Sequence, residues 1–187
     1  IMFYKESTTF LSEEQKKFLD WIRSKQSNIP WYWEPNAAEP DDGGHHFIHR
    51  VINKDKNYFN LNPNQKWFEE ILYSFAREQK FKIKNIFRCA INTTFFNGKV
   101  DRVPAHVDHD YKHRQLLLYL DDSSGETVIL DKKNKPYKIV RPEKFKAVSF
   151  DSVPHYHYFP INSVRRVVVY TFESVSYTHL RAHETAQ

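Results

Sequence analysis

Two periodicities divide the chain. In SEEQKKFLDWIRSK (12–25), Phe18, Leu19 and Ile22 recur at the three- and four-residue spacing of one helical face. The run opens with a Ser-x-x-Gln box able to cap the first turn from both sides. NPNQKWFEEILYSFAREQ (62–79) repeats the pattern with Trp67, Ile71, Leu72 and Phe75, with Asn62 as cap candidate and Pro63 in the first turn. Between the two predicted helices, PWYWEP (30–35) reads as loop and HHFIHRVI (45–52) as loop and short strand. From residue 81 onward the pattern shortens to strands. FKIKNIFRCAINTTF (81–95), RQLLLYL (114–120), TVIL (127–130), YKIV (137–140), KAVSF (146–150), HYHYF (155–159) and RRVVVYTF (165–172) are branched or aromatic runs separated by turn residues. This order predicts an α+β fold, mainly β: a double-stranded β-helix (jelly-roll) core with the N-terminal helices packed against it.

Composition agrees with one domain. The chain has 187 residues, 40% of them hydrophobic and 16% aromatic, enough for a sizeable core and too few for two. The single cysteine, Cys89, excludes an internal disulfide or a cysteine-based zinc site, which fits a reducing compartment. No apolar run has bilayer-crossing length and no signal-peptide pattern opens the chain, so a soluble, cytoplasmic protein without a membrane partner is expected. Much of the net charge of +5 lies in DKKNKPYKIVRPEKFK (131–146). A lysine-rich edge hairpin is the plainer reading, and contact with nucleic acid or another phosphate-bearing partner is the alternative.

The end of the chain breaks from this design. VSYTHLRAHET (175–185) has no apolar periodicity and looks like the translation of a transposase adaptor used in sequencing libraries. The expectation is a single domain over 1–174 with an adaptor-derived tail at 175–187, in a reading frame assembled from environmental (metagenomic) reads. His179 and His183 are therefore set aside, and Ile1 before Met2 is an unusual start.

The chemistry concentrates in PAHVDHDYKH (104–113), where three histidines and two aspartates fall within ten positions. In extended chain, His106 and Asp108 point the same way and can converge on one ion. A third ligand must come from elsewhere, and PHYHYFP (154–160) offers His155 or His157. Two histidines and one carboxylate on one side of a metal leave positions open, which suits non-haem Fe(II) chemistry. Arg165 and Arg166 open the next strand, and a guanidinium grips a carboxylate with two parallel hydrogen bonds. Being adjacent on a strand, they face opposite ways, so only one can serve.

HVDHDYKHRQLLLYLDDSSGETVIL (106–130), FDSVPHYHYFP (150–160) and RRVVVYTF (165–172), in that order, resemble the catalytic core of the Fe(II)/2-oxoglutarate-dependent dioxygenases, prolyl 4-hydroxylase-like branch. The resemblance covers residues 85–172. It implies Fe(II) held by His106, Asp108 and His155, with His157 as rival distal ligand. It implies 2-oxoglutarate as cosubstrate beside O₂, its far carboxylate bound by Arg166 and Tyr119, with Arg165 as the alternative. The reaction implied is hydroxylation of a prolyl residue, a free amino acid or another small-molecule or peptide substrate, with release of succinate and CO₂. Asp108 separates this pattern from related halogenases, in which a small residue leaves that coordination position to halide. Two departures stand out: His155-Tyr156-His157 replaces the common His-x-Gly, and the Gly-Gly-Glu-Thr turn is reduced to Ser-Gly-Glu-Thr at 124–127.

The remaining polar and aromatic residues take plainer roles. His109, Asp110 and His113 are expected to shape the entrance, to hydrogen-bond the ligands or to face water. His45, His46 and His49 are expected on a partly exposed strand or loop, and Cys89 as a small buried residue. Trp31, Tyr32 and Trp33 are expected in the core, with the wall of a substrate cleft as the alternative. The rival functional classes are an oxygenase acting on nucleic acid, a non-catalytic metal-binding β-sandwich and a zinc hydrolase.

Overall fold

The computed structural model describes residues 2–96 and 98–176. Among these residues two helices and ten strands are joined by two short 3₁₀ turns. The order is β1 (Tyr4–Ser7), α1 (Glu13–Ile22), β2 (Tyr32–Glu34), β3 (His46–Asn53), α2 (Gln65–Glu78) and β4 (Phe81–Phe95). There follow β5 (Arg114–Tyr119), β6 (Thr127–Leu130), β7 (Pro136–Val140), β8 (Ala147–Asp151), β9 (His155–His157) and β10 (Val164–Ser176). All pairings are antiparallel, in a seven-stranded sheet of order β1-β8-β5-β10-β4-β3-β2 and a three-stranded sheet β7-β6-β9.

The large sheet is covered on both faces, which explains the unbroken apolar run of β5. Leu116 and Leu118 pack with Val168, Tyr170 and Phe172 against Phe18, Leu19, Ile22, Phe68, Ile71, Leu72 and Phe75 of the helices. On the other face Leu117, Tyr119, Val167 and Val169 meet Ile129 and Val140 of the small sheet. Tyr156, Val128 and Leu130 form a third cluster on the outer side of the small sheet with Val103 and Phe159.

Helix α1 starts as read, with Ser12 Oγ accepting from Gln15 N and Gln15 Oε1 accepting from Ser12 N. Helix α2 starts later. Its N-cap is Asn64, while Asn62 sits outside the helix and donates to Arg50 O and His49 Nε2. The stripe of α2 is rotated by one position: Phe68 is buried, and Trp67 is on the surface, stacked on Phe18 at 4.9 Å. The short edge strands β1 and β2 lie outside the predicted elements, and Tyr32 and Trp33 are exposed on β2 instead of buried in the core. The three-residue β2 is too short for periodicity to reveal.

His46 and His49 depart from expectation by being buried. His49 is satisfied at both nitrogens, donating from Nδ1 to Pro30 O and accepting at Nε2 from Asn62. The basic stretch forms β7 and its flanking turns, at the edge of the small sheet, as the hairpin reading had it. Val175 and Ser176 continue β10 opposite Lys82 and Phe81, and the rest of the expected tail, from 177 on, lies outside the described residues. No helix among the described residues is long and apolar enough to cross a membrane.

Candidate metal centre

Residues of both sheets line a cavity of about 190 Å³. Strand parity decides what enters it. From the small sheet come Thr127 of β6 and His155 and His157 of β9, register partners or same-face neighbours. From the large sheet come Arg88, Asn92 and Thr94 of β4, Leu117 of β5, Arg165 and Val169 of β10, and His46 of β3. A wider surface depression lined by Asp122, Arg141, Glu143 and Ile161 holds none of these groups.

His106 and His155 are brought together by the backbone. His106 N donates to His155 O and His155 N to His106 O, both at 3.0 Å, a hydrogen-bonded antiparallel pair outside the named strands. Their rings lie 4.7 Å apart between centroids. Each Nδ1 faces a carbonyl, Pro104 O at 2.9 Å for His106 and Val153 O at 3.2 Å for His155. A carbonyl only accepts, so each Nδ1 carries a proton; in the neutral ring Nε2 then has the lone pair a metal needs, while a metal-free, protonated His106 donates from Nε2 to Asp108. Both Nε2 atoms lie 3.5 Å from Asp108 Oδ1, and ligand atoms of all three residues fall within 4.8 Å of one another.

With both rings neutral, two imidazole nitrogens and one carboxylate oxygen, oriented by outer carbonyl acceptors, are a donor set that fits Fe(II). Asp108 is buried, which opposes its ionisation. The hydrogen bond from His106 and the charges of His155, Arg88 and His106 outweigh that and hold the carboxyl far below its usual range. Burial acts on His106 too, but the Asp108 contact wins and raises its pKa. For His155 burial wins, and its pKa is lowered to about 4.

That last shift sets a pH dependence for the metal-free protein. An unfolded histidine takes up a proton near pH 6.5, whereas folded His155 resists protonation until about 4. Its contribution to stability is therefore full above about pH 6.5 and is lost as pH falls toward 4, on the order of 3 kcal/mol. His106, raised, works in the opposite sense. Melting temperature against pH after chelation should fall across this window, and His155→Gln should flatten the slope. An unchanged slope in that variant would contradict neutral burial of His155.

The same cavity is lined by a buried cation. Arg165 is 4% exposed; its Nε donates to Gly125 O and its Nη2 to Thr127 Oγ1, both at 2.8 Å. It has no ion pair among the described residues. Burial pulls its pKa down, partly offset by the neighbouring Tyr119. Thr127 Oγ1 also accepts from Tyr119 Oη at 2.8 Å. With both acceptor positions used, the threonine proton is left to donate. Tyr119 itself is fully buried behind Thr127 and does not line the cavity. Arg166 points to the helix side, where Nε and Nη2 form a bidentate pair with Asp121 and Nη1 donates to Arg23 O. The expectation that put Arg166 ahead of Arg165 is thus reversed in placement: Arg165 is the arginine in the cavity.

The reduced turn keeps the glycine that matters. Gly125 has φ +93°, and a Cβ there would lie 2.7 Å from Tyr158 O and 3.0 Å from Arg165 Cδ. Gly125→Ala should cost roughly 2 kcal/mol or more and displace the Arg165 head. Chemical denaturation checks the first effect, and ligand affinity the second.

The other residues of the motif shape its surroundings. His109 stacks on Tyr111, and its Nε2 lies 2.8 Å from Thr171 Oγ1, tying the loop to β10. His113 is buried, with Nδ1 donating to Tyr111 O. Thr127, Arg88 and Asn92 escaped the sequence reading. Parity along β4, where buried Cys89 and Ile91 mark the helix face, would have put positions 88, 92 and 94 in the cavity. Arg88 Nη1 lies 3.6 Å from Asp108 Oδ2.

No family model matches the chain. No curated protein matches it either. Among solved structures it is similar to an oxidoreductase of the 2OG-Fe(II) oxygenase family from Burkholderia pseudomallei, with 14% identity over 91% of this chain and 84% of that one, at a TM-score of 0.72. A prolyl-4-hydroxylase from Pseudomonas putida gives 13% identity over 91% and 92% of the two chains and a TM-score of 0.62. A prolyl hydroxylase from Trichoplax adhaerens, in complex with a hypoxia inducible factor peptide fragment, gives 14%, 90% and 82%, and 0.60. At such identities the likeness is one of architecture: the chain has the general fold of the 2OG-Fe(II) oxygenase structures, α+β and mainly β, with helices at the N-terminal end.

Proposed function

We propose that the protein is an Fe(II)- and 2-oxoglutarate-dependent dioxygenase that hydroxylates a small-molecule or peptide substrate, on a core closed as a double-stranded β-helix. The observation that carries this reading is a buried arginine, with no ion pair among the described residues, lining the same cavity as a two-histidine, one-carboxylate cluster. A desolvated guanidinium costs several kcal/mol unless it is paired, so the cavity is built for an anion. A structural metal would need neither the cavity nor the cation.

In this reading His106, Asp108 and His155 hold the iron, and His155 is the distal ligand because His157 lies outside the cluster. Bound with 2-oxoglutarate and O₂, iron would supply oxidative decarboxylation to succinate and CO₂, coupled to conversion of a substrate C–H to C–OH. Arg165 and the free proton of Thr127 grip the far carboxylate of 2-oxoglutarate. Tyr119 acts through Thr127, fixing its hydroxyl so that the proton points into the cavity. Cys89 and Ile91, packed on the helix side of β4, keep that strand's polar residues turned toward the site. Prolyl and free amino acid substrates both remain open to this geometry.

An anaerobic optical titration tests the reading without knowledge of the substrate. Metal-free protein receives Fe(II) and then 2-oxoglutarate, and a visible charge-transfer band is expected only when both are present. No band from folded, iron-loaded protein would overturn the assignment and favour a metal-binding module without oxygenase activity.

A further inference from the structure

His157, excluded from the metal cluster, is left with an unusual environment. It shares the inner face of β9 with His155 and pairs in register with Thr127, the residue that holds Arg165. Its side chain lines the cavity, yet its Nε2 is closed off from solvent and has no hydrogen-bond partner. Asn92 Oδ1, on the facing wall, is in the same position. A buried polar atom left unpaired is a standing cost, and native proteins keep few of them. Where such an atom borders a cavity, a ligand is the partner that removes the cost.

We infer that His157 is a specificity-determining residue for the cosubstrate: as its Nε2–H tautomer it donates a hydrogen bond to the far carboxylate of a 2-oxo diacid, beside Arg165 and Thr127. The inference rests on the reading above and adds to it a selection rule. Arg165, Thr127 and His157 line the same cavity, and in this inference a 2-oxo acid ending in a methyl group would offer their remaining donors no acceptor. Rejection by unpaired buried donors is stronger than rejection by shape.

The test compares 2-oxoglutarate with 2-oxopentanoate, in which methyl replaces the far carboxylate. Binding to Mn(II)-loaded protein is measured by titration calorimetry under argon, for the unsubstituted chain, His157→Leu and His157→Gln. His157→Leu is expected to weaken 2-oxoglutarate about tenfold, the effect of one hydrogen bond to a charged group. It should leave 2-oxopentanoate within twofold, and His157→Gln, which keeps a donor, should recover part of the loss. A second readout needs no ligand: with the orphan nitrogen removed, metal-free His157→Leu should melt about 2–4 °C higher than the unsubstituted chain. Equal losses for the two acids, unchanged 2-oxoglutarate affinity, or a lower melting temperature for His157→Leu would each overturn the inference and make His157 a structural residue. Failure of the unsubstituted, metal-loaded chain to bind 2-oxoglutarate is a different result. It removes the dioxygenase reading, and this inference with it.

Discussion

Asp108→Ala is expected to abolish iron-dependent 2-oxoglutarate binding while leaving a folded chain. Asp108 is the only carboxylate of the cluster, and its Oδ1 is the atom both imidazole Nε2 groups approach. Without it His106 and His155 remain as two neutral donors beside the uncompensated charge of Arg88. Metal affinity should fall by more than the roughly 10–100-fold that loss of an outer partner typically costs. The fold should survive because the backbone pair His106–His155 does not involve the Asp108 side chain. Metal content after equilibration with Fe(II), the charge-transfer band and succinate release together check the prediction. Undiminished 2-oxoglutarate-dependent succinate formation by the variant would refute the metal assignment.

The second large effect separates two adjacent arginines. Arg165→Leu should weaken 2-oxoglutarate by about 10²–10³-fold, since an uncompensated buried carboxylate costs on the order of 3–5 kcal/mol. Its melting temperature should change little or rise, because a buried cation without an ion pair is replaced by an apolar side chain. Arg166→Leu should do the reverse. It breaks the bidentate pair with Asp121 and the bond to Arg23 O, so about 1–2 kcal/mol of stability is lost while affinity stays within a few-fold. Calorimetry for binding and denaturant titration for stability give a two-by-two comparison. Exchanged results for the two variants would return the carboxylate role to Arg166.

This pair also marks the limit of what the sequence discloses. The strands from 81 onward, the capping box of α1 and the cluster of His106, Asp108 and His155 are all local or ordered signals, and alternating side chains make them legible. The alternation rule required that only one arginine enter the site but left open which, because both neighbours are followed by valines. The answer lies in register: Val168, Tyr170 and Phe172, the larger set, face the helices, which carries Arg166 with them. The same blindness hid Thr127, whose role depends on a tyrosine behind it and an arginine beside it, from three different strands. On α2, the rotation by one position put Phe68 inside and left Trp67 on the surface, since a wide apolar stripe fits either facing.

The backbone pairing of His106 with His155 joins residues about fifty positions apart, and neither lies where a local turn could preassemble the two. Contacts of that span form late, after the sheets that carry them have docked. An ion bound across them would therefore act on the escape from the native state more than on arrival at it. Iron loading should lengthen the lifetime of the folded chain against proteolysis and heat while leaving the refolding rate nearly untouched, so that a metal bound there would act as a kinetic lock.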